Sequence, residues 1–260
     1  MQKLRFPRYL LRTCMSVPRL GVSGALKTLL HYYRGGRFSI RIRGISDHFQ
    51  LRGKSSDLGV LYSIACHGDY AFPEIGSVDH VIDCGAYNGI SALTILSNFQ
   101  PKRIIAVEPD ADNFDLLSRN CAAEERIQCI HGAIWSDESM LRISNPSDEK
   151  WGFQCQADKT GDQAGEIQGY TMWSLIRRLP AGRRLVKMDI EGAEQAVFQN
   201  DSSWLREVDY LVMEIHPGCW KNVFDALANY SYDCRIRGEN ILFVINHPPR
   251  TYPLASGTLS

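Results

Sequence analysis

The sequence contains no run of apolar residues that approaches the roughly 20 needed to cross a bilayer as a helix. None of its eight cysteines forms a C-x-x-C pair, and several, such as Cys84 and Cys129, lie inside apolar strand patterns that predict buried thiols. The 29 lysines and arginines are balanced by 29 aspartates and glutamates, so the overall charge does not indicate a nucleic-acid partner. These absences argue against a membrane-spanning, disulfide-built or nucleic-acid-binding protein and favour a reducing, cytoplasmic setting.

Acidic residues are also missing from the first 46 positions, where the chain carries only cations before Asp47. The cations are Lys3, Arg5, Arg8, Arg12, Arg19, Lys27, Arg34, Arg37, Arg41 and Arg43. Because Phe6, Tyr9, Leu10 and Leu11 lie among them, this segment can make a weak peripheral contact with an anionic membrane face. A solvated basic tail or a contact with an anionic substrate are the alternatives.

The first part of the chain predicts little regular structure. Residues 1 to 20 contain Pro7 and Pro18, and we expect them to be irregular. Apolar residues at helical spacing over positions 22 to 33 predict a short helix that is closed by Gly35-Gly36.

Two strands and a second helix complete this basic leader, which we place at residues 1–77. Positions 38–43 alternate apolar and basic residues as a strand does, and positions 48–51 can pair with them. Ser55-Ser56-Asp57 is a helix-capping signal. The leader is too short for a separate domain, so we expect it to pack on the edge or the top of a larger sheet.

The stretch from Val81 to Ile90 predicts a buried strand, a tight turn at Gly85 and Gly89, and the start of a helix. Open α/β sheets build nucleotide sites in this way. A dinucleotide site requires G-x-G-x-x-G, and this turn has only G-x-x-x-G. Asp83 beside the first glycine would repel a pyrophosphate but suits the ammonium and sulfonium of S-adenosylmethionine. An ordinary turn with a capping acid is the alternative.

A second buried strand, from Arg103 to Val107, also ends in an acid, Glu108, before Pro109. An acid roughly 20 residues past the glycine turn is where such folds hold the ribose hydroxyls of a nucleotide. Two acids at two successive strand ends make a chance pattern less plausible than one acid alone.

The remaining elements predict an α/β fold, a mostly parallel seven-stranded sheet with one antiparallel edge strand, over residues 78–246. Strands and helices alternate, and the last two strands flank a hairpin turn at Gly238-Glu239-Asn240. A polar insert at 136–169 predicts either a lid, hooked by Trp151 and Phe153, or a solvated hairpin. We expect the tail, residues 247–260, to be flexible.

The motif Lys187-Met188-Asp189-Ile190-Glu191-Gly192-Ala193-Glu194 resembles the hallmark of the FkbM family of S-adenosylmethionine-dependent methyltransferases. The resemblance extends over about residues 55 to 216, through Ser56-Asp57 with Tyr70, the glycine turn, and Glu108-Pro109 with Asn113 and Asn120. Tyr87 stands where many members carry asparagine, and Thr171 to Ser174 lacks the aspartate that usually follows Thr-Leu.

The resemblance implies a Rossmann-like methyltransferase fold and O-methylation of a hydroxyl, typically on a sugar or polyketide. The acceptor is then a small molecule or a glycan, and the sequence does not give the oligomeric state. The predicted residues of the S-adenosylmethionine site are Asp83, Gly85, Ala86, Tyr87, Asn88, Gly89, Glu108, Pro109, Ala133, Ile134 and Asp189.

Three side chains at the ends of the fourth and fifth strands are candidates for catalysis: Asp189, Glu214 and His216. Because the ordinary pKa of a histidine is about 6.5, we predict that His216 is the general base. Asp189 is then assigned to positioning the cofactor or acceptor, and Glu214 is the alternative base. Oxygen ligands of this kind also suit Mg²⁺, but no diagnostic spacing supports a metal site, and we predict none.

Two other classes of protein share the fold: a nicotinamide-dependent oxidoreductase and a non-catalytic nucleotide-binding module. The missing G-x-G-x-x-G and the presence of Asp83 argue against the first. Acids at each of the relevant strand ends argue against the second, although fold alone does not exclude it.

Overall fold

The computed structural model describes residues 5–143, 155–157 and 167–247. Its helices are α1 (Arg5–Arg34), α2 (Asp57–Leu61), α3 (Ile90–Phe99), α4 (Ala111–Cys121), α5 (Met172–Ile176), α6 (Glu194–Gln199) and α7 (Trp220–Leu227). A π-helical turn, Tyr62–His67, continues α2, and a 3-10 helix spans Ser203–Glu207. The strands are β1 (Gly36–Ile42), β2 (Ser46–Gly53), β3 (His80–Cys84), β4 (Arg103–Glu108), β5 (Ile127–His131), β6 (Ala133–Ile134), β7 (Met140–Ile143), β8 (Cys155–Ala157), β9 (Ile167–Tyr170), β10 (Arg184–Met188), β11 (Tyr210–Glu214), β12 (Ser231–Arg237) and β13 (Asn240–Asn246).

The predicted seven-stranded sheet is confirmed, in the order β12-β13-β11-β10-β3-β4-β5. The five strands from β11 to β5 are parallel, and the antiparallel pairings lie at one edge, where β13 joins β11 and β12. Every residue of β3 and β10 is buried, as expected for central strands covered on both faces. The chain reverses its direction of travel across the sheet between β3 and β10, which is where open α/β sheets bind ligands.

Successive residues of the central strands feed two cores, one on each face of the sheet. Val81 and Ile104 pack into the core on one face, and Ile82 and Ile105 pack into the core on the other. This alternation follows from the two-residue repeat of a strand. Trp204, from the 3-10 helix that the sequence did not predict, fills part of the second core.

The leader shares the first of these cores. β1 and β2 form the predicted antiparallel hairpin, and Phe49 and Leu51 of β2 are fully buried in the same cluster as Val81. Gln50 fixes the hairpin to α4, because its backbone N–H donates to Asn120 Oδ1 and its carbonyl accepts from Asn120 Nδ2. The leader therefore packs as an integral layer over α3 and α4.

The expectation that residues 1 to 20 are irregular was wrong, since α1 begins at Arg5. Pro7 falls in the first turn, where its missing N–H costs no helical hydrogen bond. Pro18 lies inside the helix, and the helical path breaks just beyond it at Gly21 (φ 69°, ψ 170°). α1 is therefore two helical segments joined at Gly21. No helix within the described ranges is long and apolar enough to cross a membrane.

The polar insert forms part of a small second sheet in the order β6-β9-β7-β8. β7 is antiparallel to β8 and β9, and Leu141 and Ile167 form a minor core with Ala133. Trp151 and Phe153, the predicted hook, lie outside the described residues, as does the tail from residue 248.

Candidate functional site

A cavity of about 440 Å³ lies at the carboxyl ends of β3, β4, β10 and β11, within the range typical of small-molecule sites. The leader closes one side of it through residues of α1, α2 and the π-helical turn, and the β12–β13 hairpin reaches it through Glu239 and Asn240. The cavity is therefore shared between the main sheet and the leader.

The glycine turn between β3 and α3 shapes the floor of the cavity. Gly85 has a φ of 78°, and a Cβ atom there would overlap the carbonyl oxygen of Asp189. Gly89 has a φ of 91° and caps α3. Tyr87 adopts a left-handed conformation (φ 53°) that is uncommon for a residue with a side chain. The two glycines therefore let the turn pack closely against the loop after β10 and against α4, where a side chain would not fit.

Asp83 is fully buried beneath this turn and does not line the cavity. Its Oδ2 accepts a hydrogen bond from Ser91 Oγ (2.6 Å), and its Oδ1 lies 3.3 Å from Lys187 Nζ in an ion pair without good hydrogen-bond alignment. The structure thus differs from the expectation that Asp83 meets the cofactor directly. Its charge is already matched by a lysine that the sequence reading did not pair with it.

Lys187 is fully buried and ties β10 to the glycine turn. Its ammonium donates to the carbonyl oxygens of Gly85 (2.7 Å) and Cys84 (3.3 Å). Burial alone would lower the pKa of Lys187, but its neighbours, Asp83 among them, raise it by more, so the side chain stays charged. The lysine that begins the K-x-D-x-E-G-x-E motif therefore stabilises the conformation of the glycine turn between β3 and α3.

Glu108, at the end of β4, occupies the position predicted for a ribose-binding acid. Its Oε2 accepts from the backbone N–H of Tyr87 (2.9 Å), and its Oε1 accepts from Asn113 Nδ2 and the N–H of Asp110, both at 3.1 Å. Burial raises its pKa to about 7 despite these hydrogen bonds. A carboxylate offers about four acceptor positions, and three are taken, so about one position of Glu108 remains open to a ligand in the cavity.

His216 lies beside the cavity but does not form part of its wall. Its Nδ1 is 3.0 Å from Glu194 Oε1, and its Nε2 is 3.1 Å from Glu191 Oε2 and 3.7 Å from Glu214 Oε1. Burial lowers its pKa, but the hydrogen bonds to Glu191 and Glu194 outweigh that effect and raise the pKa to about 11. His216 is therefore a cation at neutral pH with both nitrogens engaged, which does not match the predicted role of general base.

Glu214 is better suited to accept a proton than His216. It lines the cavity, and burial together with the nearby charge of Asp189 raises its pKa to about 7. The positive charge of His216 opposes this rise. Asp189 also lines the cavity, and its buried Oδ1 accepts no hydrogen bond from the described part of the chain. Asp189 and Glu214 therefore both present carboxylate oxygens, which accept hydrogen bonds, to the interior of the cavity.

Asp189, Glu214 and His216 each offer one potential metal-ligand atom, and these atoms lie within 4.8 Å of one another. His216 would have to lose a proton and a carboxylate partner before a nitrogen could bind a metal ion. The arrangement fits a fixed imidazolium that orients acids better than it fits a metal centre.

A hydrogen-bonded chain joins the leader to the glycine turn. The hydroxyl of Tyr87 donates to Asp57 Oδ1 (2.5 Å) and contacts Ser56 Oγ (2.9 Å). Asp57 is fully buried and forms an ion pair with Arg52 (2.8 Å), which also donates to Asn113 Oδ1. Tyr87, which departs from the usual asparagine, therefore connects the leader with the Glu108 environment.

Most of the residues predicted from the sequence meet at this cavity, and the rest support it from below. Those in its wall are Gly85, Tyr87, Glu108, Pro109, Ala133, Ile134, Asp189 and Glu214. Those buried beneath it are Asp83, Ala86, Asn88 and Gly89, and the partly buried His216 lies beside it.

Sequence reasoning missed three contributions to the site. Glu194, the last residue of the K-x-D-x-E-G-x-E motif, was not among the predicted site residues and is fully buried against His216. Glu239 belongs to a hairpin turn that the sequence predicted without placing it at the site, and Arg12 reaches the cavity from a segment expected to be irregular. The K-x-D-x-E-G-x-E motif could have indicated the role of Glu194. Glu239 and Arg12 are brought to the cavity by contacts between residues far apart in sequence, which a local pattern does not predict.

The strand order, with a cavity at the strand ends where the sheet changes direction, defines a methyltransferase domain of the Rossmann-like type. The family model described as the methyltransferase FkbM domain matches residues 83–234, more than half of the chain. The chain therefore belongs to the FkbM methyltransferase family, which confirms the resemblance seen in its motifs.

Similar solved structures include the methyltransferase FkbM from Methylobacillus flagellatus KT, at 17% identity and a TM-score of 0.48 over 67% of this chain. The present chain spans 45% of the length of that protein. Another is the Aeropyrum pernix fibrillarin in complex with natively bound S-adenosyl-L-methionine, at 12% identity and a TM-score of 0.41, covering 67% of this chain and 70% of that one. No curated protein matches.

Proposed function

We propose that this protein is an S-adenosylmethionine-dependent O-methyltransferase that acts on a hydroxyl of a sugar, polysaccharide or related natural product. The observation that carries the proposal is the charge of the cavity wall. Two cations, Arg12 and Lys187, face six acids there: Asp69, Glu108, Asp189, Glu191, Glu214 and Glu239. Lys187 is already paired with Asp83. Such a wall suits a ligand that carries positive charge and donates hydrogen bonds, and it disfavours the pyrophosphate of a dinucleotide.

The residues present fit the adenosyl cofactor. Glu108 is a buried carboxylate with about one acceptor position open for a ribose hydroxyl, and Val107 with Ile134 gives an apolar wall for a flat base. Asp189 Oδ1 is a buried acceptor that finds no donor in the described ranges of this chain, as a cationic ligand would require. When bound, S-adenosylmethionine supplies a methyl group activated by its sulfonium.

Asp189 and Glu214, at the carboxyl ends of β10 and β11, are the residues that act on the methyl acceptor. Glu214 takes the proton of the acceptor hydroxyl, since its pKa of about 7 leaves much of it ionised near neutral pH. Asp189 orients the hydroxyl or the cofactor through its open oxygen. His216 stays protonated between Glu191 and Glu194 and keeps this corner of the site in place.

The proposal is tested by incubating the protein with S-adenosylmethionine and a panel of monosaccharides, oligosaccharides and polyhydroxylated natural products. We expect S-adenosylhomocysteine to form together with a product heavier by one methyl group on oxygen, and Asp189→Asn to lower that yield. Methylation of nitrogen or carbon acceptors alone would contradict the assignment to hydroxyl groups.

A further inference from the structure

The two faces of α1 have an unusual distribution of side chains. The face that packs on the protein carries mostly small residues, with Ser16, Gly24, Ala25 and Thr28 buried there beside Leu20. The large apolar side chains point outward instead. They are Leu11 (61% exposed), Met15, Val22 (65%), Leu26 (58%), Leu30 and Tyr33.

These outward residues form a stripe on each of the two helical segments. Val22, Leu26, Leu30 and Tyr33 follow one another at intervals of four, four and three residues, so they share one side of the second segment. Leu11 and Met15 are related in the same way on the first segment. A contiguous apolar stripe of this kind on a protein surface marks a contact site rather than scattered exposure.

Cations accompany this stripe along α1, and none of the described residues of α1 is acidic. Arg12, Arg19, Lys27 and Arg34 are exposed on α1, and the chain has no acidic residue before Asp47. Arg19 and Lys27 donate to the carbonyl oxygens of Arg43 and Ser39, which holds the side chains without neutralising their charges. The stripe is therefore set in an electropositive surface.

We propose that α1 lies on an anionic lipid surface, with its apolar stripe among the acyl chains and its cations at the headgroups. An apolar face bordered by lysine and arginine is the pattern by which helices bind such surfaces in plane. A second copy of this chain is the other candidate occupant, but a symmetric contact through α1 would bring two sets of cations together without acids between them.

The cavity opens next to this helix, because Arg12 belongs both to α1 and to the cavity wall. Docking of α1 would hold the mouth of the cavity near the headgroup region. The docking itself does not depend on the reaction proposed above, so a failure of one leaves the other standing.

The test is co-flotation of the full chain with vesicles of phosphatidylcholine alone or mixed with phosphatidylglycerol. We expect recovery only with the anionic vesicles, and less of it at 1 M salt, where the Debye length falls to about 3 Å. Val22→Glu/Leu26→Glu should lower vesicle affinity by roughly tenfold or more, because it removes two apolar side chains and adds two repelled charges. Lys27→Gln/Arg34→Gln should lower it by about fivefold for each cation lost.

The control for an added glutamate is Ile236→Glu, compared with Val22→Glu alone, because it places one charge on an apolar residue of β12 that is 73% exposed. It should bind vesicles as the unaltered protein does. Ile236→Glu and Val22→Glu/Leu26→Glu should keep the melting temperature because the altered side chains are exposed, whereas Lys27→Gln/Arg34→Gln also loses the hydrogen bond from Lys27 to the Ser39 carbonyl. Failure of the unaltered protein to bind anionic vesicles would overturn the proposal. Equal binding by Val22→Glu/Leu26→Glu would do the same, as would dissociation of a dimer by that variant without any vesicle binding.

Discussion

The cavity and helix α1 are neighbours with opposite character. The cavity wall gathers six carboxylates against two cations, whereas α1 carries cations and outward apolar residues in a stretch without a single acid. The formal net charge of zero counts the whole chain and hides this local difference. On the proposals above, the acidic cavity takes a small cationic ligand and the basic helix meets an anionic surface, so one chain would use both signs of charge for separate tasks.

The largest effect is expected from removing the proton acceptor of the cavity. Glu214→Gln should lower kcat by about 10²- to 10⁴-fold, the usual contribution of a general base, and should abolish the rise in rate with pH near 7. The measurement is the pH dependence of methyl transfer to an acceptor found in the panel. Cofactor affinity, measured by calorimetry, should change little.

The matched control for this variant is Arg34→Gln, which removes one charge from α1 instead of from the cavity. It should leave kcat with a soluble acceptor near that of the unaltered protein. A normal turnover of Glu214→Gln across neutral pH would show that orientation alone carries the reaction.

The next largest effect concerns His216, the partly buried cation beside the acidic cavity. His216→Gln should lower the free energy of unfolding by about 3 kcal/mol, because it leaves Glu191 and Glu194 without their partner. It should also raise the apparent pKa of Glu214, which the imidazolium lowers. Urea unfolding and the pH–rate profile measure the two effects.

The sign of the pH dependence follows from the raised pKa of His216. A group bound more tightly to its proton in the folded state stabilises the protein fully below its unfolded pKa of about 6.5 and loses that effect as pH rises through about 11. Stability of the unaltered protein should therefore fall over that interval, and His216→Gln should flatten the decline. A loss of turnover with an unchanged pH profile for Glu214 would instead favour His216 as a direct participant.

A smaller effect is expected at the ribose-binding acid. Glu108→Gln should weaken S-adenosylmethionine binding by about 1–3 kcal/mol, since an amide has one acceptor oxygen where the carboxylate has two. Affinity of the unaltered protein should decline as pH falls below about 7, because Glu108 then takes up a proton. Calorimetry at several pH values measures both, with the exposed Glu125→Gln as control. Equal affinity of the two variants would remove Glu108 from the binding site.

The smallest effect concerns the hydrogen bonds of Tyr87, which join the glycine turn to Asp57 and Ser56 of the leader. Tyr87→Phe removes the hydroxyl that bonds Asp57 and Ser56 but keeps the ring, and it should cost about 1 kcal/mol of stability. The matched variant Ser56→Ala removes only the weaker of the two contacts and should cost less. Melting temperatures with and without cofactor measure the effect, and a larger loss in Ser56→Ala would contradict this order.

The sequence was most informative where local pattern and packing agree. Buried strands with Glu108 and Asp189 at their carboxyl ends, and with glycines at 85 and 89, predicted the sheet and the strand-end part of the cavity wall, because backbone geometry leaves few alternatives for such turns. The K-x-D-x-E-G-x-E motif indicated the family by resemblance, and the family model confirms it.

Errors arose where partners distant in sequence decide the chemistry. The pairing of Asp83 with Lys187, 104 positions later, turned an expected ligand contact into a buried ion pair. The carboxylates around His216 turned an expected base into a cation. Pro18 suggested an irregular start, yet a break at Gly21 allows helical segments on either side of it.

The most direct test of the account is a calorimetric titration of the unaltered protein with S-adenosylmethionine and, separately, with NAD at the same concentration and pH. An acidic cavity built for a cationic adenosyl ligand predicts saturable binding of S-adenosylmethionine and no heat from NAD. Saturable binding of NAD without binding of S-adenosylmethionine would contradict it.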